Sequence, residues 1–186
     1  HETGGYLIMT DGGNNQGLSQ LILNQPLVGD FFAQIDFRLL DWPIGNVEKI
    51  GLVASNSLDQ GSVELTGNWG YLTSFSDGVH GSSWSSNTDI SGKLKIERKG
   101  SELSGYYWKD DGWFLIHSVD PSSMAASTLR ILMWGEVAGT RVVFDNLYVN
   151  INPGVDSSVV PEPASMLLLG LGGLGIFVRR QGLKLV

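Results

Sequence analysis

The feature that most constrains the fold is a set of three alternating segments in the second half of the chain, joined by two short turns that contain glycine. The segments are Lys93–Arg98, Leu103–Trp108 and Trp113–His117, and the turns are Lys99–Glu102 and Lys109–Gly112. A period of two places successive side chains on opposite faces of a strand, and turns of this length join antiparallel neighbours. The segments therefore predict a three-stranded antiparallel meander.

Other strand-like segments precede and follow the meander. Phe31–Leu39 alternates most regularly, with apolar side chains at every odd position and mostly polar ones between them. Further strands are predicted at Leu18–Leu23, Ile50–Ala54, Trp69–Phe75, Leu129–Trp134 and Arg141–Ile151. Before Ala164 no segment keeps helical periodicity beyond two turns, so the body is predicted to be an all-β sandwich.

Composition agrees with a turn-rich β protein and excludes several functions. The 186 residues include 25 glycines, six tryptophans and no cysteine. Without cysteine there is no disulfide scaffold, no thiolate zinc site and no cysteine nucleophile. The chain has 19 acids against 12 bases, and no run of Lys and Arg exceeds two. Nucleic acid is therefore not a predicted partner.

The C-terminal segment differs from the rest of the chain. Ala164–Val178 contains no charge and is followed at once by Arg179 and Arg180. As a helix it would be roughly 22 Å long, short of the roughly 30 Å hydrocarbon core. It lacks the regular polar positions of a surface helix, and the arginine pair suits the cytoplasmic end of a membrane helix. We expect a single transmembrane helix at about 164–178, with a buried core helix as the alternative.

A Val-Pro-Glu-Pro motif stands just before this apolar run. The motif, the run and the arginine pair together closely resemble the PEP-CTERM sorting signal, whose residues here are Val160, Pro161, Glu162, Pro163, Arg179 and Arg180. The resemblance implies export by a Gram-negative bacterium and recognition of the motif by an exosortase, a membrane protease that cleaves near it. The protein would pass through an inner-membrane intermediate to the cell surface or extracellular matrix.

These features divide the chain into a β-sandwich body at 1–150, a polar linker at 151–160 and the sorting signal at 161–186. A substrate of this kind needs an N-terminal export signal, and the first residues contain neither a basic region nor an apolar stretch, so we expect the sequence to be a fragment or a processed form. If His1 is the native start, the tail would instead be a tail anchor and the body would face the cytoplasm.

The meander carries a second resemblance, which extends to the segments Leu129–Gly135 and Val142–Val149. This series is similar to the second half of concanavalin A-like, or laminin G-like, jelly rolls. The resemblance implies a jelly-roll β-sandwich, a fold shared by lectins, glycosidases and adhesive modules, so it does not by itself assign an activity.

Paired carboxylates for glycoside hydrolysis are not evident in the sequence. A retaining glycosidase needs two carboxylates about 5 Å apart, which this fold usually places with a Glu-x-Asp-x-x-Glu strand. No such spacing occurs. Asp36 and Glu64 each lie alone on a candidate strand, and both are expected to be solvent-facing. If they converged in an open groove, a hydrolase would be favoured.

Metal binding is only weakly indicated. A glycine-rich loop offers oxygen ligands in Asp11, Asn14 and Asn15, and calcium is known in related jelly rolls. The loop lacks the spacing and the closing glutamate of an EF-hand, so a plain turn is preferred and no cofactor is expected, with calcium as the alternative. Asp145 and Asn146 are expected to hydrogen-bond neighbouring strands rather than hold a metal.

Tryptophan is the better indication of a ligand, because sugars present flat CH-rich faces on which aromatic rings stack. Trp42, Trp69 and Trp84 lie in or beside polar turns and are the candidate ligand-binding residues. Trp108 and Trp113 are expected to pack in the core or on a sheet face.

The charge distribution narrows the ligand class. Three of the 12 bases and one of the 19 acids lie from Pro161 onward, which leaves the body and its linker, residues 1–160, with 9 bases, 18 acids and a net charge of −9. A neutral glycan or a cation suits such a body better than a polyanion. We therefore predict an exported, non-catalytic surface or matrix protein, with neutral polysaccharide as its candidate ligand. The alternatives are a glycoside hydrolase or lyase acting on envelope polysaccharide, and a purely structural surface protein.

Overall fold

Antiparallel strands dominate the computed structural model, which describes residues 2–3, 5–10, 17–42, 48–67, 70–75, 89–120, 126–135 and 139–151. The described residues form β1 (Glu2–Thr3), β2 (Tyr6–Thr10), β3 (Gly17–Val28), β4 (Phe31–Asp41), β5 (Lys49–Ser55), β6 (Gln60–Thr66), β7 (Gly70–Phe75), β8 (Ser91–Lys99), β9 (Glu102–Lys109), β10 (Gly112–Val119), β11 (Ala126–Gly135) and β12 (Arg141–Ile151).

The strands form two sheets. The seven-stranded sheet has the order β1-β2-β12-β4-β8-β9-β10, and the five-stranded sheet has the order β3-β11-β5-β6-β7. Neighbouring strands are antiparallel in both sheets. This architecture confirms the predicted all-β sandwich.

The predicted meander is present as β8, β9 and β10. Lys95 pairs with Tyr106, and Tyr106 pairs in turn with Leu115. The turn between β9 and β10 holds Asp110 and Asp111 at φ of 49° and 63°. Two consecutive positive φ values match the right-handed twist of a two-residue hairpin, and aspartate tolerates them better than most residues.

Alternation decides which side chains enter the space between the sheets. In β4, Phe31, Ala33, Ile35 and Phe37 are buried, and the side chains between them face outward. The predicted strand at Phe31–Leu39 is thus confirmed, and it extends to Asp41. The largest fully buried side chains of the core include Tyr71, Phe31, Phe144, Leu27 and Ile35.

One close approach in the core requires glycine. The ring of Tyr107 stacks on that of Tyr71 with 4.4 Å between centroids, so this side of β9 faces the five-stranded sheet. Gly105 lies on the same side, where a Cβ atom would come within 2.5 Å of Thr73 Oγ1. The small residue therefore lets β9 pass close to β7.

The register also fixes the two ends of the seven-stranded sheet. Ile151, the last residue of β12, pairs with Phe31, which pairs with Arg98, which pairs with Leu103. The turn between β9 and β10 lies at the opposite end, because β9 runs away from Leu103 toward Lys109.

Candidate functional site

The outer face of the five-stranded sheet carries a groove. Leu129, Ile131 and Met133 of β11 belong to the core, so the alternating residues Arg130 and Trp134 point outward. The groove has a volume of about 310 Å³. Its described lining residues, which define the five-strand groove, are Leu18, Gln20, Lys49, Val53, Gln60, Glu64, Arg130, Leu132 and Trp134.

Strand register builds the groove in rows across the sheet. Trp134 pairs with Lys49 on one side and Leu18 on the other. In the next row, Gly51 lies between Leu132 and Glu64. Because residues two apart on a strand share a face, these rows present one continuous surface to solvent.

Gly51 keeps the centre of the five-strand groove open. Gly51 is part of β5, which pairs with β11 on one side and β6 on the other, and it has no side chain. A Cβ atom there would collide with the carbonyl oxygen of Val63 and would come within 2.9 Å of Glu64 Cγ. Only glycine fits this position, which leaves space over the middle of the sheet for the Glu64 side chain.

Glu64 is buried in the five-strand groove, with 5% of its surface exposed. The hydroxyl of Ser62 donates a hydrogen bond to Oε1 at 2.7 Å, and Lys49 Nζ lies 3.7 Å from Oε2. The expectation of a solvent-facing carboxylate was therefore wrong for this residue. The physical reason is that Gly51 leaves space for the Glu64 side chain to pack flat against the sheet. There the Lys49 ammonium and the Ser62 hydroxyl offset the cost of desolvating the carboxylate.

Arg130 supplies a second cation beside Lys49. Its Nη2 donates a hydrogen bond to Gln60 Oε1 at 2.8 Å. Among the described residues no carboxylate lies within 4 Å of the Arg130 side chain. Its guanidinium and the amide of Gln60 therefore present several hydrogen-bonding groups to the groove.

Asp36 lies on the opposite side of the molecule from Glu64. It is on the outer face of the seven-stranded sheet, where Lys93 Nζ approaches its carboxylate at 3.5 Å. Asn146 Nδ2 also donates a hydrogen bond to Asp36 at 2.9 Å, across a bulge in β12. The two carboxylates do not converge. The predicted structural role of Asn146 is confirmed by its hydrogen bond to the neighbouring strand.

The candidate ligand-binding tryptophans separate into described and undescribed positions. Trp42 is half-buried and packs against the hydrophobic core. Trp69 and Trp84 lie outside the described residues, as do Asp11, Asn14 and Asn15 of the candidate calcium loop. Their proposed roles stay predictions.

The sorting residues Val160, Pro161, Glu162, Pro163, Arg179 and Arg180 and the predicted membrane helix at 164–178 also lie outside the described residues. Across the residues that are described, no helix combines the length and apolar character needed to span a membrane. The described part of the chain also contains no cluster of three or more His, Asp or Glu side chains that could hold a metal ion.

The structure adds three outward tryptophans, which sequence reasoning did not select, to the candidate ligand-binding residues. Trp134 lines the five-strand groove, and Trp108 and Trp113 lie half-buried on the outer face of the seven-stranded sheet. Trp134 is two residues from Leu132 and four from Arg130, so it shares their face, opposite the buried Ile131 and Met133.

Comparison with known proteins identifies the tail and the fold. Residues 159–181 match the PEP-CTERM protein-sorting motif. The motif indicates an exported protein of the cell envelope that an exosortase processes. No curated protein matches the sequence at a significant level.

The described body resembles carbohydrate-active and lectin-like jelly rolls. It is similar to a bifunctional GH43-CE protein of Bacteroides eggerthii, with a TM-score of 0.62 and 14% identity over 80% of this chain and 22% of that chain. It is also similar to the alginate lyase AlgAT5 of polysaccharide lyase family 7, with a TM-score of 0.58 and 16% identity over 78% of this chain and 76% of that one. A legume lectin-like domain from Entamoeba histolytica gives a TM-score of 0.57 and 10% identity, over 81% and 86% of the two chains.

These similarities confirm the jelly-roll sandwich. At such low identities they establish the fold alone, because the same architecture serves both enzymes and binding modules. The chain spans only about a fifth of the length of the GH43-CE protein.

Proposed function

We propose that this protein is an exported, non-catalytic surface or matrix protein that binds neutral polysaccharide in the five-strand groove. The groove itself carries the proposal. It combines one outward aromatic side chain, Trp134, with the amides of Gln20 and Gln60 and the guanidinium of Arg130. An aromatic ring can stack on the CH face of a pyranose while amide and guanidinium groups bond its hydroxyls.

The carboxylates favour binding over hydrolysis. Hydrolysis of a glycosidic bond by the common mechanism requires two carboxyl groups flanking the scissile bond. Glu64 is the single carboxylate among the described lining residues of the groove, and Asp36 faces the other way.

The charges favour a neutral ligand. The body and its linker together carry 9 bases and 18 acids, so their net negative charge repels a polyanion. Within the groove, Lys49 is paired with Glu64 at 3.7 Å, which leaves Arg130 as the remaining described cation. One guanidinium can serve as a hydrogen-bond donor to sugar hydroxyls.

The binding proposal is tested on a glycan array with the full chain, the variant Trp134→Ala and the matched control Leu58→Ala. Leu58 is 76% exposed and lies in the turn between β5 and β6, outside the groove lining. Loss of the stacking ring should weaken binding by about tenfold or more. The control should bind as the wild type does.

Three further variants examine the tryptophans selected from sequence: Trp42→Ala, Trp69→Ala and Trp84→Ala. If one of these abolishes binding while Trp134→Ala does not, the ligand lies at that tryptophan and not in the five-strand groove. If neither the wild type nor any variant binds a glycan on the array, the purely structural alternative would be favoured.

A glycoside hydrolase or lyase is the second candidate, favoured by the buried Glu64 inside the groove. Incubation with each polysaccharide that binds should release neither reducing ends nor unsaturated sugars. Release that disappears in Glu64→Gln, a variant of the same size without the charge, would establish an enzyme instead.

For the tail, we propose that residues 164–178 span the inner membrane while the protein is an export intermediate, and that an exosortase cleaves near Glu162. The match of residues 159–181 to the sorting motif supports this. In an exporting host with its exosortase, Glu162→Ala should leave the full-length chain in the membrane. Val155→Ala, in the linker, should be processed normally. Normal processing and surface display of Glu162→Ala would rule out the proposed role of the motif.

A further inference from the structure

The outer face of the seven-stranded sheet carries an aromatic row that the core does not need. We call Tyr106, Trp108, Trp113 and Leu115 the aromatic face. Trp108 and Trp113 pair directly across β9 and β10, with ring centroids 5.2 Å apart in an edge-to-face arrangement. Leu115 lies opposite Tyr106 and is 52% exposed.

The alternation of β9 establishes that this row points outward. Gly105 and Tyr107 face the other sheet, because a Cβ at Gly105 would meet Thr73 and the Tyr107 ring stacks on the core residue Tyr71. Tyr106 and Trp108 therefore occupy the solvent side of the strand. Aromatic side chains in a row on a sheet face are an apolar surface outside the core, which commonly marks a binding site.

Two lysines lie over these rings. Lys95 Nζ is 4.0 Å from the ring centroid of Tyr106 and 5.3 Å from that of Trp113. Lys93 Nζ is 5.6 Å from the ring centroid of Trp108. Such cation–π contacts fix the rings and place ammonium donors over them, among the aromatic side chains.

The charges around the aromatic face are balanced internally. Lys95 pairs with Glu97 at 3.2 Å, and Lys93 pairs with Asp36 at 3.5 Å. The patch therefore offers donors and acceptors for hydroxyl groups without net attraction for an anion. Because residues 1–160 carry a net charge of −9, an uncharged ligand is favoured over an anionic one.

We infer that the aromatic face is a second sugar-binding surface, for neutral chains of equatorially linked pyranoses. Each such ring offers a flat CH face to a tryptophan or tyrosine and a rim of hydroxyls to Lys93, Lys95 and their carboxylate partners. The surface is independent of the five-strand groove, because the two lie on the outer faces of opposite sheets. A domain with both surfaces can bridge two polysaccharide chains.

The test is hydroxyl-radical footprinting of the wild-type full chain, with hydroxyethylcellulose, a soluble neutral β-1,4-glucan, as the probe. Mass spectrometry reads the oxidation of each tryptophan with and without the polysaccharide. Phe114 is the internal control, because it is 43% exposed and lies on the other side of β10. We expect oxidation of Trp108 and Trp113 to fall several-fold while that of Phe114 is unchanged.

The pattern of protection separates this inference from the proposed function. Protection of Trp134 alone would support the five-strand groove and overturn the second surface. Protection of Trp108 and Trp113 alone would support the second surface and count against the groove. Protection of neither would overturn the second surface. Protection that follows protein concentration rather than polysaccharide would identify a second copy of the chain as the occupant, and would overturn it as well.

A binding measurement complements the footprint. In a Trp134→Ala background, the pair of changes Trp108→Ala and Trp113→Ala should lower the remaining affinity for hydroxyethylcellulose in affinity electrophoresis by about tenfold. Lys109→Ala is the matched control, since Lys109 is exposed and adjacent to Trp108 but outside the aromatic face. Unchanged affinity in the folded triple variant would overturn the inference.

Discussion

The two outer faces of the sandwich present different side chains to solvent. The five-stranded sheet is hollowed at Gly51, and it buries the Glu64 carboxylate inside a groove beside Lys49. The seven-stranded sheet carries a row of aromatic rings covered by paired lysines. The first face presents a depression with a buried charge, and the second presents apolar rings with lysine ammonium groups over them.

The difference shows how a shared fold can produce two unlike surfaces. Both faces are built by the same period of two, and both carry a lysine–carboxylate pair. In the groove the carboxylate side chain is 7% exposed, whereas that of Asp36 on the other face is 26% exposed. We therefore expect burial, rather than residue type, to set how much each pair contributes to stability.

The largest expected effect on stability comes from a substitution at Gly51, which fills the depression that distinguishes the groove. In Gly51→Ala the new Cβ collides with the Val63 carbonyl, so β5 and β6 must separate. We expect a loss of about 3 kcal/mol in the free energy of unfolding, measured by urea denaturation. Gly112→Ala on β10 is the control, because its nearest neighbours would be 3.9 Å away. Equal stabilities for the two variants would contradict the close approach at Gly51.

The next largest effect on the free energy of unfolding is expected when the lysine of each ion pair is replaced. Lys49→Met leaves the buried Glu64 without its cation and should cost about 2 kcal/mol. Lys93→Met removes the corresponding cation from the more exposed Asp36 and should cost less than about 1 kcal/mol. Urea denaturation of both variants measures the difference. If the two losses were the same, burial would not be what separates the two faces.

The smallest effect concerns the aromatic face at high pH. Partial burial raises the pKa of Tyr106 above its ordinary value of 10.0, and the negative charges of Glu97 and Glu102 add to the rise, against a lowering hydrogen bond with Ser104. The folded state therefore keeps a proton that the unfolded chain releases above about pH 10. The contribution to stability is fully present below that pH and is lost as the pH rises.

Unfolding midpoints measured between about pH 8 and pH 11.5 check this dependence. The wild type should lose stability above about pH 10 more steeply than Tyr106→Phe, which has no phenol to ionise. Below about pH 9 the two proteins should change with pH in parallel, which serves as the control. Identical slopes at high pH would mean that the phenol of Tyr106 is as well solvated as in the unfolded chain.

Most of the sandwich follows from local patterns. Strand β4 and the meander were predicted because one face of each strand enters the core, so apolar and polar residues alternate visibly. The burial of Glu64 was not predictable, since it depends on Gly51 in a neighbouring strand. Trp134 was missed because β11 has apolar residues on both faces, and only pairing with the rest of the sheet shows which face is inside.

The register of the seven-stranded sheet gives the molecule a direction. The chain leaves the described body at Ile151, in the row that contains Phe31, Arg98 and Leu103. Trp108 is five residues further along β9, roughly 17 Å from that row. If residues beyond Ile151 hold the body at a surface, the hairpin with Trp108 and Trp113 is its far end, displayed outward from the point of attachment.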